Sequence, residues 1–305
     1  SIPLTILLIC LVKPVVMVMS TPAEAVSGTA AYLTICFAGI PFITAYNVIS
    51  SIFRGLGDSK SPMYFIAVAC AANIILDLVF MGVMDMGPAG AALGTTLSQT
   101  ISVAVALIAI VKRRLISVSR SDFRTCREHI RRILNIGVPV ALQDGFIQVA
   151  FIVITIIANQ RGLNDAAAVG IVEKIIGFIF LVPSSMLSTV SAVCAQNIGA
   201  GKLDRAAKTL RYAIFIAAGF GLVVSVLIQF IAEPVVGLFS SDTAVITMGG
   251  QYFRGYVADC MFAGIHFCFS GYFCAYGKSG ISFLHNFLSV LLARVPGAYL
   301  ASKMF

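Results

Sequence analysis

Residues 13–60 recur at residues 233–280, at a constant offset of 220 and without a gap, with eleven identities in forty-eight positions. Pro14-Val15-Val16 lies over Pro234-Val235-Val236, Ser20 over Ser240, Tyr32 over Tyr252, Ala38 over Ala258 and Phe42 over Phe262. Ser50, Phe53, Gly57 and Ser59 then match Ser270, Phe273, Gly277 and Ser279. Apolar residues coincide by composition in any greasy chain. Aligned Pro, Tyr and Gly positions instead point to a duplicated unit of about 220 residues, and a duplicated chain is expected to fold as two equivalent lobes.

Composition decides what those lobes are made of. The chain is 59% hydrophobic and 11% charged, against about 25% charged in soluble domains. Nine apolar stretches, near 1–19, 30–53, 62–84, 88–111, 136–158, 168–194, 211–239, 250–274 and 281–303, approach the roughly 20 residues that a bilayer requires. They are read as helices, because backbone in lipid must satisfy itself and no barrel-like alternation is present. The chain opens inside an apolar run, with no visible signal peptide. The net charge of +8 sits almost wholly in alternate loops. Arg54, Lys60, Lys112, Arg113, Arg114, Arg120, Arg124, Arg127, Arg131, Arg132, Lys202, Arg205, Lys208, Arg211 and Lys278 fall on one side, against Arg161 on the other. The first side is therefore cytoplasmic, and the charge sets topology instead of marking a nucleic-acid partner. None of the eight Cys lies in a CxxC pair and the three His are scattered, so neither type suggests a metal site.

Six spans separate the starts of the two copies. An even number gives both the same orientation, that of parallel repeats about an axis normal to the membrane. Extrapolating the offset beyond both ends gives twelve spans in two six-helix lobes, about nine of them in this chain. Residues 1–111 then correspond to spans 3–6 of a truncated N-terminal lobe, 112–135 to a basic cytoplasmic linker, and 136–305 to spans 7–11 of a truncated C-terminal lobe. By itself such a piece is not expected to transport. Within the linker, Arg127, Ile130, Arg131 and Leu134 have the spacing of an interfacial amphipathic helix.

Two glycine-rich loops close spans on the cytoplasmic side: Arg54-Gly55-Leu56-Gly57-Asp58-Ser59-Lys60-Ser61-Pro62, and Gln196-Asn197-Ile198-Gly199-Ala200-Gly201-Lys202 followed by Asp204-Arg205-Ala206. Together, at these span ends, they resemble the signature loops of the multidrug and toxic compound extrusion (MATE) family. That resemblance implies an all-α integral membrane protein of two parallel-repeat lobes in a bacterial plasma membrane. It further implies a monomeric antiporter, with no cofactor beyond Na⁺ or H⁺, that expels drug-like organic solutes by alternating access. A lipid-linked saccharide flippase of the same superfamily is the alternative cargo reading. It would call for a strongly cationic cavity, whereas here the Lys and Arg lie mostly in loops. Gly55-Leu56-Gly57-Asp58 also matches the GxGD of intramembrane proteases, but such an enzyme needs two carboxylates close enough to share a proton. No Tyr-Asp pair, HExxH, GxSxG or Walker A sequence is present to support an enzyme or an ATPase.

Ionisable groups within spans are costly and thus candidates for function. Asn73 and Asp77, four apart, share a helical face, and a carboxylate beside an amide oxygen can hold a dehydrated Na⁺ or an exchangeable proton. The resemblance implies that this pair is a cation-coupling site, completed by Ala91 and Thr95 of the next span. In the second lobe it places neutral Gln148 and Ala263 where another branch of the family has acids, with Asp144 and Asp259 one turn earlier. Asp259 and His266, seven apart, suit a proton relay. Lys13 and Glu233 hold matching repeat positions, where opposite charges could close an outer gate.

Overall fold

The computed structural model describes residues 2–18, 26–113, 126–294 and 296. All its elements among these residues are helical, and the chain forms two compact units, Ser1–Phe123 and Arg124–Phe305. Half of the basic linker (114–125), Ser20 and Gly297 lie outside the described residues.

In the first unit the opening apolar stretch is two short helices, α1 (Ile2–Cys10) and α2 (Val12–Val18). The interruption at Leu11 has a local cause, since Pro14 has no N–H to offer the Cys10 carbonyl and its ring crowds that oxygen. Then follow α3 (Val26–Gly55), α4 (Lys60–Asp77), a π-helical turn over Leu78–Val83, and α5 (Gly87–Arg113). Tyr46, Ile49, Phe53, Phe65, Val103 and Ala106 form the core, with the Phe53 and Phe65 rings edge-on at 5.3 Å. Close approach of α3 to α5 depends on Gly39, where a Cβ would stand 2.9 Å from Thr96 Oγ1.

The second unit contains α6 (Arg127–Arg161), α7 (Leu163–Ile179), α8 (Leu181–Gly199) and α9 (Leu203–Val236). It continues with α10 (Thr243–Tyr256), α11 (Asp259–Ala275), α12 (Ser279–Ser289) and a second π turn, Val290–Arg294. Helix α11 is central. Its Cys260, Gly264, Cys268 and Gly271 face is buried against α8 and α9, and the opposite stripe carries Asp259, Ala263, His266 and Ser270. The helix begins with a 40° bend from α10, where bonds such as Cys260 N–H to Val257 O, 3.0 Å, replace the usual i→i−4 pattern.

Two expectations need adjustment. Against nine anticipated spans, six described helices are long and apolar enough to cross a membrane, or seven with α10–α11 taken as one bent span. The first stretch is shortened by its break, and the ninth is described only as far as Arg294 and residue 296. The amphipathic turn at Arg127–Leu134 is no separate element either, because it is the first part of the 35-residue α6.

Three interhelical loops repeat one device. After α3, Gly57 N–H bonds Arg54 O at 3.0 Å and Asp58 N–H bonds Phe53 O at 2.9 Å; after α11, Gly277 bonds Cys274 O and Lys278 bonds Phe273 O, both at 2.9 Å. The end of α8 does the same through Gly201 and Lys202. These are Schellman caps, which need a left-handed residue at the reversal, and Gly57, Gly201 and Gly277 have φ of 88°, 72° and 70°. Alanine at Gly57 or Gly277 is expected to destabilise its lobe by roughly 1–2 kcal/mol, the left-handed penalty for an L-residue. Thermal unfolding in detergent checks this, with Gly280→Ala, where a Cβ meets nothing within 4 Å, as the silent control.

Candidate functional site

Asn73 and Asp77 lie on α4 immediately before the π turn, and both face Gly94 of α5. A Cβ added at Gly94 would overlap Asp77 Oδ1 and stand 3.5 Å from Asn73 Nδ2. The glycine therefore makes the space that the two polar side chains occupy. Asp77 Oδ1 and Asn73 Nδ2 are both shut off from solvent without a hydrogen-bond partner. Unpaired buried polar atoms cost about 1–3 kcal/mol each, more when charged, which makes the pair a candidate place for a small ligand. A proton on the carboxyl, or a small cation between carboxylate and amide oxygen, would supply the missing partner. The amide's two ends are interchangeable by rotation.

The structure does not bring Thr95 into this pair by a hydrogen bond. Thr95 is exposed and its hydroxyl donates to the Ala91 carbonyl of its own helix at 3.0 Å. Its neighbour Thr96 is the inward-facing one, packed on Gly39 and 3.4 Å from Ile35 O. Gly94 is the participant that the sequence reading missed.

In the second lobe a cavity of about 560 Å³ opens at the α10–α11 bend. Tyr256, Asp259, His266, His285, Asn286 and Ser289 supply its polar groups, and Phe151, Phe180 and Phe262 are among its aromatic walls. The His266 and His285 rings stack at 4.8 Å with an interplanar angle of 19°. Asp259 and His266 are thus brought to one cavity, as their shared face implies. Asp144 and Gln148 do not line it and are exposed, whereas Gln143, one position earlier, is the buried α6 residue. His285, Asn286 and Gln143 were missed. A signal existed at two of them, because the offset-matched residues in the first lobe are Phe65 and Ile66. Polar exchange at matched positions carries information that identities do not.

Glu233 has a partner within its own unit. Its Oε1 accepts from Arg254 Nη2 at 3.1 Å, and Arg254 Nε donates to Gln229 O at 3.2 Å, tying α9 to α10. Lys13, on α2, is exposed, and any gate contact with Glu233 would compete with that ion pair. Asp58 serves the loop: its Oδ1 accepts from Lys60 N at 3.1 Å and Ser61 N at 3.0 Å, and Ser61 Oγ donates to Oδ2 at 2.6 Å. A carboxylate capping α4 in this way is structural, which removes the GxGD reading's chemistry.

The model of the MatE family matches residues 1–79 and 139–300. Among curated proteins, the chain is 31% identical over 278 residues to the probable multidrug resistance protein YpnP of Bacillus subtilis (strain 168), covering 91% of this chain and 62% of that protein. It is 26% identical over 263 residues to the multidrug export protein MepA of Staphylococcus aureus (strain N315), covering 86% and 58% respectively. The chain thus spans about three fifths of the length of these relatives. Among solved structures, it resembles the crystal structure of MATE in complex with MaL6, with a TM-score of 0.92 and 24% identity over 99% of this chain and 69% of that one.

Proposed function

The chain belongs to the MatE family, and from that premise we propose that it serves the efflux of drug-like organic solutes, driven by antiport of Na⁺ or H⁺ through alternating access. The observation that carries ion coupling is the half-buried Asn73–Asp77 pair, with two polar atoms held without partners against Gly94. Relatives named for multidrug resistance and export supply the cargo class. The aromatic cavity of the second lobe, with Asp259 at the α11 N-terminus, suits a flat organic cation. Asp259 and His266, which share that cavity, form the reserve for a second coupling site. The protein works as a monomer in a bacterial plasma membrane, among lipid and without a further cofactor.

Energetics permit this without ATP. One charge crossing 100 mV yields about 2.3 kcal/mol, and a tenfold solute gradient costs about 1.4 kcal/mol. One ion per neutral solute thus sustains between one and two decades. The test is ethidium efflux from vesicles containing the full-length protein, under an imposed Na⁺ or H⁺ gradient. Efflux should start with one gradient and stop when it is collapsed by an ionophore. Transport indifferent to both gradients would remove the coupling reading.

A further inference from the structure

A file of buried polar groups runs through the seam of α6, α11 and α12. His266 Nε2 lies 3.1 Å from Asn286 Nδ2 and 3.5 Å from Ser270 Oγ. Ser270 Oγ is 2.7 Å from Ser282 Oγ, which is 2.8 Å from Gln143 Oε1. Gln143, Ser270, Ser282 and Asn286 are all more than nine-tenths buried. A hydroxyl has one hydrogen. Ser282 donating to Gln143 therefore leaves it to accept from Ser270, and the Ser270 oxygen is left open toward His266. Asn286 Oδ1 is buried with no partner.

The duplication provides an internal control. Tyr46, Pro62, Phe65 and Ile66 stand where the second lobe has His266, Ser282, His285 and Asn286; only Ser50 and Ser270 agree. Tyr46 and Phe65 belong to the first lobe's apolar core. The matched α3–α4 contact carries no His or Asn at these positions, and polar groups inside a membrane are costly.

We propose that His266 is a proton-binding residue of the second lobe, and that Asn286 and the Gln143–Ser282–Ser270 file are positioning residues that turn its protonation into a shift of α12 against α6 and α11. This rests on the ion-coupled reading above and names its second site. With Nε2 unprotonated, its lone pair accepts the Asn286 Nδ2–H. A proton arriving from the cavity forms an N–H bond with that lone pair, and the amide's hydrogen bond to it breaks. The new N–H is then accepted by Ser270 Oγ and by Asn286 Oδ1, once the amide turns about Cβ–Cγ. Ser270 Oγ already lies 3.5 Å away. The titratable groups around His266 are His285, stacked on it from α12, with Asp259 of α11 and Tyr256 of α10 at the same cavity. From α6 the file presents neutral Gln143. Helices α8 and α9 pack on the opposite face of α11, where the ionisable groups include Cys194, Cys260, Cys268 and Tyr272.

The test follows the Asn286 side-chain amide by NMR in purified full-length protein, labelled at Asn and His, over about two pH units either side of the usual imidazole value. Asn286→Leu and Asn286→Ser assign the signal. It should move with the His266 titration and stand still in His266→Gln, which has a donor but cannot titrate. An Asn286 amide that ignores pH in the wild type overturns the proposal, whatever the variants do. In vesicles, the wild-type rate should change about tenfold per pH unit on the limiting side, and His266→Gln should vary less than about twofold. A wild-type pH profile in His266→Gln also overturns it, leaving ion-driven efflux intact. Loss of ion dependence in the wild type fails the general reading instead, and the NMR titration still decides the site.

Discussion

Asp77→Asn is expected to abolish ion-driven efflux while leaving the full-length protein inserted, folded and able to bind drug. Asparagine keeps the carboxyl's shape in the space below Gly94, and the first-lobe core of Phe53, Phe65 and Val103 does not include this position. Only the charge is lost, and with it the exchange of proton or cation that resets the cycle. If one ion is coupled to a neutral drug, the lost driving force is about 2.3 kcal/mol at 100 mV, so the sustained gradient of that drug should fall by roughly fortyfold. The measurement is drug efflux under an imposed gradient, normalised to membrane protein, beside equilibrium drug binding in detergent. Gly94→Ala is the steric counterpart, since its Cβ displaces Asp77 Oδ1 without touching the charge; it should impair coupling as well. Wild-type rates in Asp77→Asn would move the coupling site to Asp144 or Asp259.

The largest effect on stability is expected at two glycines of the second lobe. A Cβ at Gly271 of α11 would sit 2.5 Å from the Leu187 carbonyl and 3.1 Å from Ser191 N of α8. At Gly221 of α9 it would meet Met261 Cα at 2.5 Å and Met261 N at 2.7 Å. Both obstacles are backbone, so no side-chain rotation relieves them and whole helices must separate. Small residues at such crossings let membrane helices pack closely where lipid offers no hydrophobic drive, and overpacking costs about 1–3 kcal/mol per site. Gly221→Ala and Gly271→Ala should each lower the thermal midpoint in detergent clearly. Gly219→Ala, on the same helix as Gly221 with nothing within 4 Å of its Cβ, should leave it unchanged or raise it, since Ala is the better helix former. Equal midpoints for Gly219→Ala and Gly221→Ala would show that the α9–α11 contact does not limit stability.

The duplication, the membrane class, the all-helical fold and the glycine-capped loops follow from the order of residues along the chain, because hydropathy, charge asymmetry and turn chemistry are local properties. Asn73–Asp77 was legible for the same reason: two polar residues one turn apart in an apolar helix must share a face. What the sequence left open was rotation. In helices apolar all round, no amphipathic stripe indicates which side turns inward, and one residue changes direction by about 100°. Hence Gln143 is buried while Asp144 is exposed, and Thr96 packs on Gly39 while Thr95 bonds its own helix. Partners distant in sequence were equally hidden. Arg254 neutralises Glu233 across α9 and α10, Gly94 houses Asp77 from another helix, and Asn286 meets His266 from α12. The chain's order fixes which polar groups enter the membrane. Only the packing of helix on helix decides which of them meet, because close contact between distant segments is a property of three dimensions.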